Sequence, residues 1–204
     1  MPGPDAAFWQ QRFESGDTPW DRGAPSPQLL RWLDEASLRP CRIAVPGCGS
    51  GWDAVELARR GFSVTAVDLV PAACDRTRAL AHAAGVSLEV VQSDMLAWRP
   101  PEPFDAVFEQ TCLCAIHPFH WSGYAGSMRA WIRSDGALWA LFMQRPRASA
   151  IDEGRVEGPP YHCDISAMQL LFPAADWAWP EPPLVKVPHP AGWHELGACL
   201  RRRA

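Results

Sequence analysis

Three absences narrow what this chain can be. No apolar run approaches the roughly 20 residues that a membrane-spanning helix needs. The N-terminus has no basic start followed by an apolar stretch, so it does not match a secretory signal. The formal net charge is -4, which disfavours broad electrostatic attraction to nucleic acid. We therefore expect a cytoplasmic protein that binds neither membranes nor nucleic acid.

A disulfide pattern is also lacking. The seven cysteines are odd in number, and Cys41, Cys48 and Cys74 lie among core-like residues. Reduced thiols fit this distribution better than a disulfide framework. With 204 residues, 48% hydrophobic and 21% charged, the chain has the size and composition of a globular domain. We expect a single domain over residues 1–204.

After Pro40 the sequence alternates short apolar strands with helices. Such alternation predicts right-handed βαβ units and an α/β fold with a doubly wound, mostly parallel sheet. The last two strands, near the C-terminus, read as an antiparallel pair. The patterns predict helices at 5–14, from Ser26 through Leu33, and at 53–60, 71–84, 121–133 and 164–171, and strands at 42–45, 63–67, 88–91, 104–109, 136–143, 184–187 and 194–201.

A glycine-rich loop follows the first strand of the alternating region. Residues 47–51 read Gly-Cys-Gly-Ser-Gly and open directly into a helix. Closely spaced glycines let the backbone turn tightly and approach a ligand without a Cβ clash. Asp68 ends the next strand, about 20 residues further on, where a carboxylate can accept hydrogen bonds from two ribose hydroxyls. The combination predicts a nucleoside-type cofactor, because ligands bind beyond the carboxyl ends of such strands.

The spacing of the loop favours S-adenosylmethionine (SAM) over a dinucleotide. Dinucleotide sites usually show G-x-G-x-x-G, whereas this loop reads G-x-G-x-G and is followed by Asp53 and Glu56. Carboxylates there would repel a pyrophosphate but tolerate a cationic sulfonium, and Asp94 suits an adenine amino group. An NAD-dependent reductase would usually need a Tyr-Lys pair or a His proton donor, and this chain has only two tyrosines and few lysines.

Several segments resemble the thiopurine S-methyltransferase superfamily, and more closely its thiol, halide and thiocyanate methyltransferase branch. The match covers nearly the whole chain, and its N-terminal part is fairly specific. The segments that carry it are 8–13 (Phe-Trp-Gln-Gln-Arg-Phe), 16–21 (Gly-Asp-Thr-Pro-Trp-Asp), 46–53 (Pro-Gly-Cys-Gly-Ser-Gly-Trp-Asp), 108–116 (Phe-Glu-Gln-Thr-Cys-Leu-Cys-Ala-Ile), 158–161 (Gly-Pro-Pro-Tyr) and 192–202.

This resemblance implies a Rossmann-like class I methyltransferase with a seven-stranded sheet and an N-terminal lid over residues 1–35. It implies SAM as the cofactor, a small-molecule acceptor and residues next to the transferred methyl group. The cofactor residues it implies are Phe13, Trp20, Gly47, Gly49, Asp68, Asp94, Met95 (with Leu96) and Glu109. The catalytic or acceptor-pocket residues it implies are Gln110, Thr111 and Tyr161.

Two departures leave the acceptor open. The thiopurine branch usually carries an arginine where Gln110 stands, and the run from Thr111 to Cys114 contains two unusual cysteines. The expected reaction is methyl transfer to a small soft nucleophile: a thiol, bisulfide, thiocyanate or halide. A thiopurine-type S-methyltransferase and a non-catalytic SAM-binding protein remain alternatives. We expect a monomer, because the N-terminus of the chain itself closes the site.

The expected methyl transfer needs little acid–base catalysis from the protein. A soft anion displaces the sulfonium from the opposite side without a strong base, so holding the partners aligned and excluding water should suffice. Aromatic residues of the N-terminal segment suit that task. We interpret Phe8 and Trp9 as packing residues and Trp20, beside Pro19 in an irregular segment, as a functional one.

Cysteines and histidines near the expected site raise two further possibilities. Cys112 or Cys114 could act as a nucleophile, but this needs a nearby base and a lowered pKa, and the sequence indicates neither. The same cysteines with His117, His120, His162 and Cys163 could bind zinc, but their spacing matches no tight zinc pattern. We therefore expect no metal. Whether Cys112 and Cys114 or His117 and His120 contribute to the acceptor pocket stays open.

Overall fold

Helices and strands alternate through most of the computed structural model, which describes residues 3–148, 153–189 and 191–204. The first two residues of the expected lid therefore lie outside the described residues. The helices are α1 (Ala6–Ser15), α2 (Pro27–Asp34), α3 (Trp52–Arg59), α4 (Pro71–Ala84), α5 (Trp121–Trp131) and α6 (Ile165–Leu171). The strands are β1 (Arg42–Pro46), β2 (Ser63–Asp68), β3 (Glu89–Gln92), β4 (Phe104–Gln110), β5 (Ile132–Gln144), β6 (Trp177–Ala178), β7 (Val185–Pro188) and β8 (His194–Arg202).

The strands form one mixed sheet in the order β3-β2-β1-β4-β5-β8-β6, with β7 paired to β8. Strands β1 to β5 are parallel, and β8 runs antiparallel to β5. This confirms the expected fold class, and all seven predicted strands are present. The additional strand β6 is two residues long and pairs with the end of β8. The strand order reverses between β1 and β4, which is where open α/β sheets bind ligands.

Alternate side chains of β5 enter two different cores, as the twofold repeat of a strand requires. Leu138 and Phe142 join the core that α5 and α6 cover. Trp139 and Leu141 join the core that α2 and α3 cover, where the Trp139 and Trp32 rings meet at 4.9 Å. Because both faces of the sheet are buried, the ends of its strands are the surface left for a ligand site.

The N-termini of α1 and α2 have the capping residue and the proline that the sequence predicts. The Asp5 carboxylate accepts the backbone N–H of Phe8 at 2.8 Å and caps α1. Pro27 stands in the first turn of α2, where its missing N–H costs no hydrogen bond.

The boundary between α5 and β5 differs from the prediction by several residues, whereas the other ends agree to within one or two. The helix expected over 121–133 ends at Trp131, and the strand expected from Gly136 begins at Ile132. Ile132 pairs with Phe104, and the register then shifts before Ala106 pairs with Ala137. Pairing with β4 therefore overrides the helical pattern of the sequence at this point.

Candidate active site

The glycine loop after β1 packs against the residues that follow β4. Gly47, Gly49 and Gly51 have φ values of 60, 55 and 86°, a region that glycine adopts at no steric cost. A Cβ at Gly47 would come within 2.8 Å of the Cys112 sulfur, so only glycine fits there. The loop thus brings the ends of β1 and β4 together.

Asp68 ends β2 and faces this loop. One carboxylate oxygen accepts the Gly49 N–H at 3.0 Å, and the other accepts the Val70 N–H at 3.2 Å. Only 7% of the residue is exposed, and burial raises the pKa of the carboxyl above its ordinary value. Since a carboxylate has about four acceptor sites, Asp68 retains capacity for ligand hydroxyls on the cavity wall that it helps to form.

The residues after β3 form the neighbouring wall of the same cavity. The Asp94 carboxylate accepts the Leu96 N–H at 2.9 Å, which shapes the turn. Met95 is buried, and its sulfur lies 3.1 Å from the Cys112 sulfur. All three of Asp94, Met95 and Leu96 line the cavity, as the resemblance implies for an adenine pocket.

Four aromatic side chains of the N-terminal segment cover the cavity. Trp20 meets Trp9 at 5.4 Å and Phe13 at 5.9 Å, both edge to face. Phe8 and Trp9, interpreted from the sequence as packing residues, line the cavity too. The Arg12 guanidinium lies over the Trp20 ring at 5.4 Å. The predicted lid residues Phe13 and Trp20 therefore belong to a larger aromatic cover.

Polar contacts tie this segment to the rest of the site. The Asp21 carboxylate accepts the Ser50 hydroxyl and, at 2.9 Å, the Trp52 indole N–H. Arg22 pairs with Glu195 of β8 at 3.0 Å, and Glu195 is fully buried. These anchors were not predicted, although Asp21 and Glu195 lie inside segments that carry the family resemblance.

The residues at the end of β4 divide into two groups. Gln110 and Thr111 line the cavity, and the Gln110 amide donates to the Glu195 carboxylate at 3.2 Å. Glu109 does not line it, which corrects the expectation of cofactor contact. Its carboxylate is buried and accepts the N–H groups of Cys112 and Leu113 at 3.0 and 2.8 Å. Burial raises the pKa of Glu109 to about 7. Glu109 therefore supports the loop that carries Thr111.

Tyr161 also lies behind the cavity wall, contrary to the expectation of a substrate-facing ring. Its ring packs edge to face on His117 at 5.3 Å, and a Cβ on Gly158 would overlap it. Its backbone N–H donates to the Cys114 carbonyl oxygen at 2.7 Å. The preceding residues, 158–160, line the cavity instead. Tyr161 thus holds the Gly-Pro-Pro segment against His117.

The cysteines and histidines near the site do line the cavity: Cys112, Cys114, His117 and His120. Burial raises the pKa of both thiols well above its ordinary value. Protonated thiols are poor nucleophiles, so the geometry gives no support to covalent catalysis. Within residues 3–148, 153–189 and 191–204, no three His, Cys, Asp or Glu side chains converge to hold a metal ion.

The glycine loop, the ends of β2, β3 and β4 and the aromatic cover all line one continuous cavity of about 970 Å³. Small-molecule sites span roughly 300–1,000 Å³, so there is room for a nucleoside cofactor and a second small ligand. SAM fits the residues present: Asp68 keeps acceptor capacity, the loop glycines admit close approach, and aromatic faces attract a cationic sulfonium. In the described part of the chain, no helix is long and apolar enough to cross a bilayer.

The fold and the site together define a class I SAM-dependent methyltransferase. The sequence model of the thiopurine S-methyltransferase (TPMT) family matches residues 4–179. The chain therefore belongs to the thiopurine S-methyltransferase family.

Individual relatives agree with this assignment. The chain is 33% identical over 168 residues to the "Probable thiol methyltransferase 2" of Arabidopsis thaliana, covering 80% of this chain and 70% of the relative. It is 31% identical over 166 residues to "Thiocyanate methyltransferase 1" of the same plant, with the same shares covered. A crystal structure of the Burkholderia thailandensis 1,6-didemethyltoxoflavin-N1-methyltransferase has a TM-score of 0.76 at 22% identity, covering 98% of this chain and 87% of that chain.

Proposed function

We propose that this methyltransferase moves the methyl group of SAM to a small soft nucleophile, such as a thiol, bisulfide, thiocyanate or halide. The observation that carries the proposal is the single cavity that connects Asp68 and Gly49 to Gln110 and Thr111 beneath an aromatic cover. The names of the two plant relatives support sulfur-containing acceptors.

The cofactor would lie against the loop and the ends of β2 and β3. Asp68 would accept hydrogen bonds from the ribose hydroxyls, and Asp94 with Met95 would hold the adenine. Phe13 and Trp20 would cover it, because both rings line the cavity and the Phe13 ring lies next to Gly49. When bound, SAM supplies an electrophilic methyl group on a cationic sulfur.

The acceptor would lie beside Thr111 and Gln110. Thr111 has a φ of 59°, an unusual conformation for a residue other than glycine, which is held by the Glu109 hydrogen bonds just after it. Gln110 is held by Glu195, which is in turn paired with Arg22 of the N-terminal segment. Closure of that segment and positioning of the acceptor wall are thereby connected.

Alignment and exclusion of water are the contributions that these residues can make. A thiolate or halide attacks the methyl carbon as the bond from that carbon to the sulfonium breaks, leaving a neutral thioether and needing no strong base. Holding the partners in line contributes up to about 7–11 kcal/mol in favourable systems. The aromatic cover would strip water from the anion.

The alternatives predict different cavities. A non-catalytic SAM-binding protein would have its acceptor space blocked, whereas this cavity extends past Gln110 to Met143 and Arg145. A thiopurine-type enzyme would usually have an arginine in place of Gln110, whose amide is committed to Glu195. A monomeric state and a cytoplasmic location stay predictions of the sequence.

The test is release of S-adenosylhomocysteine by the purified protein with SAM and a panel of acceptors. The panel contains bisulfide, thiocyanate, iodide, alkyl and aryl thiols, and thiopurines. Turnover with thiols or soft anions, and little with thiopurines, is the expected result. Binding of SAM with no turnover on any acceptor would contradict the proposal and favour the non-catalytic alternative.

A further inference from the structure

Polar groups at the far end of the cavity have no hydrogen-bond partner within the described part of the chain. Gln144, the last residue of β5, pairs with His194, the first residue of β8. Arg145, which follows β5, and Trp193, which precedes β8, therefore lie close together at the same edge of the sheet. Arg145, Trp193 and His189 all line the cavity. The Trp193 ring stacks on the His189 ring at 5.2 Å, and the Arg145 guanidinium lies 4.1 Å from the centre of the Trp193 ring.

The unpartnered atoms of this cluster are hydrogen-bond donors. The Nδ1 of His189 accepts the Ala191 N–H at 3.2 Å, so the proton of the neutral ring is on Nε2. Burial and the nearby Arg22 lower the pKa of His189 to about 4, which keeps the ring neutral near pH 7. Among the residues that the structure describes, neither the His189 Nε2 nor the Trp193 Nε1 has a hydrogen-bond partner, and both atoms are buried. Buried donors are rarely left unpaired in proteins, and ordered water, an ion or a ligand usually satisfies those that have no protein partner.

The positively charged guanidinium of Arg145 lies beside these two donors. Among the residues that the structure describes, no carboxylate lies within ion-pair distance of Arg145. Burial and then repulsion by Arg147 lower the pKa of Arg145, and no acid offsets them. Arg22, which lies near His189, is already paired with Glu195 at 3.0 Å. The cluster therefore combines an uncompensated guanidinium with two neutral donors, a set that suits a carboxylate.

The cluster is separated from the expected point of methyl transfer. Gln110 pairs with Leu141 on β5, and Gln144 comes three residues later. At about 3.3 Å per residue, the strand places Gln144 roughly 10 Å beyond the level of Gln110. A single acceptor molecule could therefore present its sulfur near Thr111 and an anionic group near Arg145.

We propose that Arg145, His189 and Trp193 form a subsite for a carboxylate on the acceptor, so that the preferred acceptor is an organic thiol with a remote carboxylate. This proposal rests on the function proposed above. It distinguishes this chain's acceptor from a bare soft anion such as thiocyanate, which has no second charged group to occupy the subsite.

The test compares ω-mercaptocarboxylates of increasing chain length with their uncharged primary amides. The wild-type protein should show a higher kcat/KM for the carboxylates, with an optimum among the longer members. Arg145→Gln should reduce the ratio of carboxylate to amide kcat/KM by about 10–100-fold, the usual range for losing a charged hydrogen bond. The kcat/KM for the amides should stay near that of the wild type.

Two further variants keep the test independent of folding defects. Trp193→Phe retains an aromatic ring beside His189 but removes the N–H, and it should lower the same ratio without lowering amide turnover. Arg129→Gln is the control, because Arg129 of α5 pairs with Asp176 at 3.0 Å and lies outside the cavity wall. It should leave the ratio unchanged.

The outcomes separate this proposal from the function on which it rests. An equal ratio in the wild type and Arg145→Gln, with thiols still methylated, would overturn the subsite alone. Weaker SAM binding by Arg145→Gln in titration calorimetry would also overturn it, because the carboxylate held would then be that of the cofactor. A loss of thiocyanate turnover in Arg145→Gln would contradict it as well. Failure to methylate any thiol would instead contradict the proposed function.

Discussion

Asp68 has two tasks at the scale of a single residue. Its oxygens accept the Gly49 and Val70 N–H groups, which fixes the glycine loop relative to the end of β2. The same carboxylate lies on the cavity wall, where we expect the ribose to bind. The loop and the cofactor therefore depend on one buried acid.

Asp68→Ala should weaken SAM binding by at least about 10–100-fold, the range for a hydrogen bond to a charged group. Titration calorimetry measures the change. The control is Asp75→Ala, because Asp75 lies on the exposed side of α4, where it pairs with Arg78 at 3.0 Å. An unchanged Kd in a folded Asp68→Ala protein would rule out the ribose role.

Glu109 illustrates how a buried acid makes stability depend on pH. Its pKa is raised by burial from 4.5 to about 7 in the folded protein. Between these values the folded state holds a proton that the unfolded state releases. The stabilising contribution is therefore complete below about pH 4.5 and is lost as the pH rises through 7.

Glu109→Gln should remove this dependence, because glutamine can still accept the two N–H groups but does not titrate. The Tm of the variant, relative to wild type, should rise between pH 5 and pH 8 by the equivalent of up to about 3 kcal/mol. Calorimetric scans at both pH values test this. Glu181→Gln, at an exposed position, should show no such change. A Tm difference between Glu109→Gln and wild type that is the same at pH 5 and pH 8 would refute the raised pKa of Glu109.

At the scale of elements, α1 and the following irregular segment act together. The aromatic rings of Trp9, Phe13 and Trp20 contact one another, while Asp21 and Arg22 attach the segment to the loop and to β8. Because these contacts hold the segment over the cavity, we expect it to act as one unit that covers a bound ligand.

Trp20→Ala should lower kcat/KM by about 10–100-fold through lost positioning, with only a small fall in Tm. Trp179→Ala is the comparison, because Trp179 stacks on Phe142 at 5.7 Å and donates to the Phe172 carbonyl oxygen outside the cavity. That variant should lose Tm and keep kcat/KM. A large fall in Tm for Trp20→Ala without a specific effect on rate would make Trp20 a packing residue.

The order of these elements could be predicted well from sequence, and their ends less well. Strict alternation of apolar runs and breakers marks each strand between β1 and β5. The end of α5 at Trp131 could not be predicted, because Ile132 is drawn into the sheet by pairing with Phe104, 28 residues earlier. Local pattern has no information about such a partner.

On the scale of the whole molecule, ligand binding and folding are coupled through the cavity. Residues from the N-terminal segment, the glycine loop and the β5–β8 edge all line it, so the cavity exists only in the folded state. A ligand that binds there stabilises the fold in proportion to the logarithm of its concentration.

SAM at 100 times its Kd should contribute about 2.7 kcal/mol and raise the Tm by about 5–10 °C for a chain of this size. Differential scanning calorimetry with and without SAM measures the shift. The Asp68→Ala variant should show little of it at the same SAM concentration. An equal shift in both proteins would indicate that the cofactor binds elsewhere.

The sequence by itself determined where the first five strands lie along the chain, the glycine loop and the acid at the end of β2. These features are local in the chain: glycine is required by backbone conformation, and Asp68 by its place at the end of a strand. The resemblance extended the prediction to Gln110, Thr111, Phe13 and Trp20, all of which line the cavity.

Only the tertiary structure decided which of the residues named from the sequence face the cavity and which lie behind it. Glu109 and Tyr161 lie behind the wall, while Phe8 and Trp9 lie on it. The cluster of Arg145, His189 and Trp193 could likewise not be predicted from the sequence, because its members come together only when β8 pairs with β5. The direction of a side chain depends on contacts with distant segments, and those contacts form only in the folded chain.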